Sequence, residues 1–148
     1  RIINFFPEER RQQLLMDLSL NLKAFVSQRL IPRAGVKGRA AAIEILLNTP
    51  TVAELLSKGQ SAAIKPVMDK SRELGMQTFD QALFDLYDQG FISYEEAIRN
   101  ADSTNELRLA IKLKSKKGEP TTSSRMSLSI EEEVKPEEEK VEEQTGES

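Results

Sequence analysis

Any chemistry in this chain must rest on carboxylates, amines, hydroxyls and amides, because its 148 residues include no His, no Cys and no Trp. That composition excludes disulfides, thiolate nucleophiles, zinc sites built on His and Cys, and imidazole acid–base catalysis. The carboxylate pairs Glu8/Glu9 and Glu95/Glu96 stand where helices should begin, and the positive end of a helix dipole is reason enough for them. Ala34-Gly-Val-Lys-Gly38 carries two glycines, but no Gly-Lys-Ser/Thr stands ahead of a helix to cradle phosphates. No Ser has the setting of a nucleophile. Taken alone, the chain offers no catalytic constellation.

Glu44 is the residue that strains its surroundings. It lies in Arg39-Ala-Ala-Ala-Ile-Glu-Ile-Leu-Leu47, an otherwise apolar run, where an unpaired carboxylate would be costly to bury. If Arg33 pairs with Arg39 across the glycine loop, Gln28 falls opposite Glu44 and both point to one face. Either Gln28 or a nearby arginine then satisfies the acid, or an arginine of another domain or subunit does.

The elements that would position these groups are mostly helical. Arg1-Ile-Ile-Asn-Phe-Phe ends at Pro7, after which Leu14, Leu15, Leu18, Leu22, Phe25 and Val26 recur at helical spacing. This predicts an amphipathic helix of about five turns. Gln28–Arg33 and Arg39–Leu47 flank the loop as an antiparallel hairpin. Its second strand is apolar on both faces and expects cover on both, so the hairpin reads as part of a larger sheet that this chain is too poor in strands to supply.

Residues 49 to 112 read as short capped helices. Thr49 with Pro50, or Thr51 with Glu54, opens the first, which ends near Lys58-Gly59. A second carries Ile64, Val67, Met68 and Leu74 and stops at Gly75, a plausible left-handed terminator. Thr78 with Gln81, Ser93 with Glu96 and Ser103 with Glu106 each form a Ser/Thr-x-x-Glu/Gln signature. Phe79, Ala82, Leu83 and Leu86 are one buried stripe, and Leu107, Ala110 and Ile111 another.

From about Ser115 the composition changes to Lys, Gly, Pro, Ser, Thr and blocks of Glu, the signature of a disordered acidic tail. Residues 113 to 148 hold 6 Lys+Arg against 10 Asp+Glu, leaving 15 against 14 upstream. Neither part has the concentrated basic face that nucleic acid would require. Arg125-Met-Ser-Leu-Ser-Ile130 is the tail's only apolar island; a solvated extension is its plainer reading. No apolar run approaches the roughly 18 residues of a membrane span, and the lack of Cys fits a cytoplasmic protein. The chain opens on Arg1 inside what already reads as an element, so a truncated upstream end is expected.

In order along the chain, Arg1-Ile-Ile-Asn-Phe-Phe-Pro7, Leu18-Ser-Leu-Asn-Leu22, Ser27-Gln-Arg-Leu-Ile-Pro-Arg33, Gly38-Arg39, Glu44-Ile45 and Asn48-Thr-Pro50 resemble the C-terminal part of type IV pilus retraction ATPases. Leu74-Gly-Met-Gln-Thr-Phe-Asp-Gln-Ala-Leu83, Gly90 and Ile92-Ser-Tyr-Glu-Glu-Ala97 extend the likeness to about residue 113. Two departures matter. Thr51-Val-Ala-Glu-Leu-Leu56 lacks the Arg-Asn pair of the main retraction motor, and Arg99-Asn-Ala-Asp-Ser103 with Leu107-Arg-Leu109 and Ile111-Lys-Leu113 is similar to the accessory paralogue.

The resemblance implies an α+β, mostly helical fragment of a RecA-like α/β ATPase. Residues 1–48 would be the remnant of its core, 49–113 a helical bundle and 114–148 the tail. It implies ATP and Mg²⁺ for the parent but none for this fragment, since the family's phosphate loop, acidic motif and histidine box lie upstream of Arg1. It further implies a homo-hexamer, or co-assembly with the main retraction ATPase, on the cytoplasmic side of the inner membrane at the pilus base. Gln28, Arg29, Glu44, Gly75, Met76, Gln77 and Thr78 are its family-motif or interface candidates. The rivals are the main motor itself and a freestanding helical interaction module.

Overall fold

Asn48 decides where the first helix stops. Its side-chain amide donates to the carbonyls of Ser19 and Leu22, at 2.9 Å each, satisfying acceptors that a helix end leaves open. In the computed structural model, which describes residues 2–116, a 3-10 turn at Ile2–Phe5 leads into α1 (Glu8–Asn21). The helix is therefore shorter than its apolar spacing predicts: Phe25 and Val26 belong to β1 (Ala24–Pro32), which pairs with β2 (Arg39–Leu47).

The hairpin is antiparallel, with Pro32 opposite Arg39. That register is one residue away from the Arg33–Arg39 pairing expected, and in a strand a shift of one exchanges the faces. Glu44 faces Ser27, while Gln28 lies opposite Ile43 and is exposed on the other side. Packing explains the choice: Ile31, Arg29 and Ala42 share the covered face, with Ile31 and Ala42 almost fully buried. The pairing expected from the loop would have turned Leu30 inward instead; here it is 51% exposed.

Four of the helices that follow begin after a Thr or Ser: α2 (Pro50–Ser57), α4 (Phe79–Asp88), α5 (Tyr94–Asn100) and α6 (Thr104–Lys114). Thr49 caps α2 through Val52 N–H, Thr78 and Gln81 form a reciprocal capping box on α4, and Ser93 caps α5. Ser103 departs from the pattern, since its hydroxyl makes no capping bond. The second helix expected is a short α3 (Ile64–Lys70) between two 3-10 turns, and Leu74 is exposed rather than buried. Gly75, at φ +94°, ends that stretch in the left-handed region.

Two apolar clusters result. Leu15, Val52, Leu56, Ile64, Met68 and Met76 join α1, α2 and α3. Ile31 and Ala42 of the hairpin join Phe79, Leu83, Ile92, Leu107 and Ile111 of α4–α6. Beyond α6, Ser115 Oγ and Lys116 N–H both donate to Asp88 Oδ1 at 2.8 Å. The acidic tail lies outside the described residues.

Candidate functional site

Between the two clusters the hairpin meets α3, α4 and the α5–α6 corner through charge. Arg29 reaches from β1 with one guanidinium nitrogen on the Asn100 carbonyl (2.9 Å) and the other on Asp102 Oδ1 (2.8 Å). Its guanidinium lies over the Phe79 ring, 3.9 Å from the centroid, a favourable cation–π geometry. Lys65 of α3 hydrogen-bonds the second oxygen of Asp102. One carboxylate thus ties β1, α3 and the start of α6 together.

Asp80 anchors the turn that leads into α6. Its two carboxylate oxygens accept the backbone N–H groups of Asp102 and Ser103 at 2.8 and 2.9 Å. A side chain at the start of α4 therefore holds the entry to α6. Asp88, at the far end of α4, holds the residues just past the end of α6. The two helices consequently lie side by side and parallel, fastened at both ends.

Glu44 stands beside this network but outside its hydrogen bonds. Its Oε1 is buried with no partner. Burial pushes the carboxyl above its ordinary range and Asp102 adds to this, against the lowering influence of Lys65, the Phe79 backbone N–H and Arg29. Asp102 behaves oppositely. Burial would raise it, but the hydrogen bonds from Lys65 and Arg29 prevail and hold it below the usual carboxylate range.

Each residue of Gly75–Thr78 has an identifiable local task. Met76 is 1% exposed in the first cluster. Gln77 pairs with Ile45 as a one-residue third strand, through reciprocal backbone bonds of 2.8 and 3.0 Å. Its side chain donates to the Ile43 carbonyl at 2.8 Å, so the outer edge of β2 is covered at Ile43 and Ile45. Thr78 caps α4. The structure brings Arg29, Glu44, Gln77 and Thr78 to one region and leaves Gln28 apart from them. Lys65, Asp80 and Asp102 complete the region and carry no sequence signature of their own, since Asp102 meets Arg29 across 73 positions.

This arrangement is a junction. The turn into α6 has the N–H groups of Asp102 and Ser103 already taken by the Asp80 carboxylate. The adjoining cavity of about 430 Å³ is lined by Asp69, Asp80, Asp102 and Glu106 as well as Lys65 and Lys70. Nucleotide phosphates do not fit such walls. No group of three or more acidic side chains among the described residues is placed to hold a metal ion, and none of their helices is long and apolar enough to cross a membrane.

The chain superimposes on the crystal structure of the pilus retraction motor PilT with bound ADP at a TM-score of 0.61 and 31% identity, covering 72% of this chain and 29% of that one. It shares the fold of the Legionella pneumophila ATPase DotB at a TM-score of 0.50 and 22% identity, covering 66% and 26%. No protein-family model matches. In sequence the chain is 60% identical over 113 residues to the type IV pilus ATPase PilU of Pseudomonas aeruginosa, covering 76% of this chain and 30% of that protein. It is 36% identical over 101 residues to the PilT retraction ATPase of the same organism, covering 68% and 29%. The chain belongs to the PilT/PilU family of type IV pilus ATPases and spans about 30% of the length of the relatives it matches.

Proposed function

We propose that these residues are the C-terminal part of a pilus retraction motor of the PilU type, acting in twitching motility. The observation that carries this reading is the 60% identity over 113 residues with PilU, against 36% over 101 with PilT. On this reading the whole protein hydrolyses ATP with Mg²⁺ and works as a hexamer, alone or together with the main retraction ATPase, at the cytoplasmic face of the pilus base. Nucleotide chemistry belongs to segments other than residues 2–116, whose polar junction has no place for phosphates. Residues 1–48 join the ATPase core and 49–113 form a helical attachment to it. The Arg29–Asp102–Lys65 network then keeps the hairpin and the attachment moving as one piece, and the uncovered hairpin face gives the core a surface to pack against.

Two measurements test this. In the first, residues 1–113 replace the matching segment of Pseudomonas aeruginosa PilU, and ATP turnover and twitching are recorded. Both should persist; a folded chimera lacking both refutes the assignment. In the second, the purified 148-residue chain is given ATP and Mg²⁺. It should show neither turnover nor micromolar binding, and either result would place a site in residues read here as structural.

A further inference from the structure

A groove of about 600 Å³ runs along α4 and α6, with Phe84, Leu109, Ala110 and Leu113 among its apolar walls. Leu109 and Leu113 are 57% and 69% exposed, although they share a helix with the fully buried Ile111. Charge lines the groove as well: Glu106 in the first turn of α6 and Lys114 at its last residue mark the two ends of the α6 wall, and Asp69, Arg72 and Asp80 stand on the facing side. Among the described residues Glu106 has no ion-pair partner.

The chain itself contains a matching segment. In Arg125-Met-Ser-Leu-Ser-Ile130, Met126, Leu128 and Ile130 alternate with Ser127 and Ser129, a pattern that puts three apolar side chains on one side of an extended strand. Arg125 precedes it and Glu131–Glu133 follow. We infer that Arg125–Ile130 docks in the α4–α6 groove of its own chain, with Arg125 at Glu106 and the following glutamates at Lys114.

Reach and charge both support this occupant. The bonds of Ser115 and Lys116 to Asp88 release the chain at the end of the groove where Lys114 lies. Eight residues, Lys117–Ser124, separate that point from Arg125, enough to span about 26 Å. The distance back along α6 from Lys114 to Glu106 is only about 12 Å, so the chain can return to Glu106 and lay the island along the helix. Gly118 and Pro120 suit the reversal. A short tether raises the island's effective concentration to the order of 1 mM, so even a millimolar contact would be about half occupied. This inference does not rest on the ATPase reading and would hold for an inactive chain.

The absence of cysteine makes the test direct. A nitroxide on Ser124→Cys of the full chain should broaden the amide resonances of α6 and of the facing side of α4, by at least about half where a half-occupied island lies, and should leave those of α1, which belongs to the other apolar cluster, far less affected. Adding Met126→Ser, Leu128→Ser and Ile130→Ser should restore the intensities, and these tail positions put no core residue at risk. Uniform or absent broadening overturns the inference. So does broadening that appears only when spin-labelled chains are mixed with isotope-labelled ones, which would make the occupant a second copy.

Discussion

Asp102 and Glu44 lie in the field of the same two cations, Arg29 and Lys65, yet only Asp102 accepts hydrogen bonds from them. The competition leaves one carboxylate held ionised and the other held back from ionising. Asp102→Asn should therefore weaken the junction and separate the hairpin from α6. Because Arg29 and Lys65 are 35% and 52% exposed, water screens the pair and the loss should be only about 1 kcal/mol. Urea unfolding at neutral pH measures it. The parent's share is present above the usual aspartate range and is lost as pH falls through the lowered value, so the gap between parent and variant should close in acid.

Glu44 should show the opposite dependence. Its pKa is raised in the folded state, so its stabilising share is full below the ordinary glutamate range and is lost as pH rises through the raised value. Glu44→Gln removes that loss. Unfolding midpoints from about pH 4 to 7 should fall less steeply for the variant than for the parent, and parallel curves would mean that Glu44 is solvated like a surface acid.

Asp80 is predicted to hold the entry to α6, where the Ser103 hydroxyl makes no capping bond. Asp80→Ala leaves the N–H groups of Asp102 and Ser103 without their acceptors, at a cost of about 1–2 kcal/mol. Ser103→Ala should cost much less, since its hydroxyl makes no capping bond. Amide exchange through the first turn of α6 distinguishes the two, and equal effects would assign the cap to Ser103.

The same contrast shows which features the sequence makes legible. Caps by Thr49, Thr78 and Ser93 involve partners three residues away, and the apolar stripes of α4 and α6 have helical period, so both can be read locally. The end of α1 depends on Asn48, 26 and 29 positions beyond the carbonyls it satisfies. The hairpin register depends on burying Ile31 and directing Arg29 toward Asp102. Phe25 and Val26 fit a helical stripe as well as a strand, and no local rule separates those readings. Of the junction, Glu44 is legible as a charge among apolar neighbours and Arg29 only through the family resemblance, whereas Lys65, Asp80 and Asp102 join only once the chain has folded.

Gly75 offers a test of backbone conformation with packing held aside. A Cβ there would meet nothing nearer than Leu47 Cδ1 at 3.9 Å, an ordinary contact, but φ is +94°. Gly75→Ala should cost about 1 kcal/mol from the left-handed conformation alone. Melting curves of the variant answer the question; no change would mean that the turn before Met76 relaxes freely.

The last prediction concerns the hairpin face turned away from the helices. Val26 and Leu30 are 63% and 51% exposed there, on the side that Gln28, Ala41 and Ile43 share by register. Strands with an uncovered apolar face associate, so the isolated chain should self-associate as its concentration rises. Val26→Thr with Leu30→Thr places β-branched residues, suited to a strand, at both positions and removes apolar surface without touching Ile31, Ala42 or Arg29. Sedimentation velocity should show the double variant remaining monomeric at concentrations where the parent sediments as larger species. Circular dichroism should show the two folded alike. If both associate equally, the contact lies elsewhere, and Phe5, Leu20 of α1 and Leu113 of α6 are exposed apolar side chains to test next. If the parent alone associates, this face is the one that requires cover, as its two-sided apolar pattern predicts.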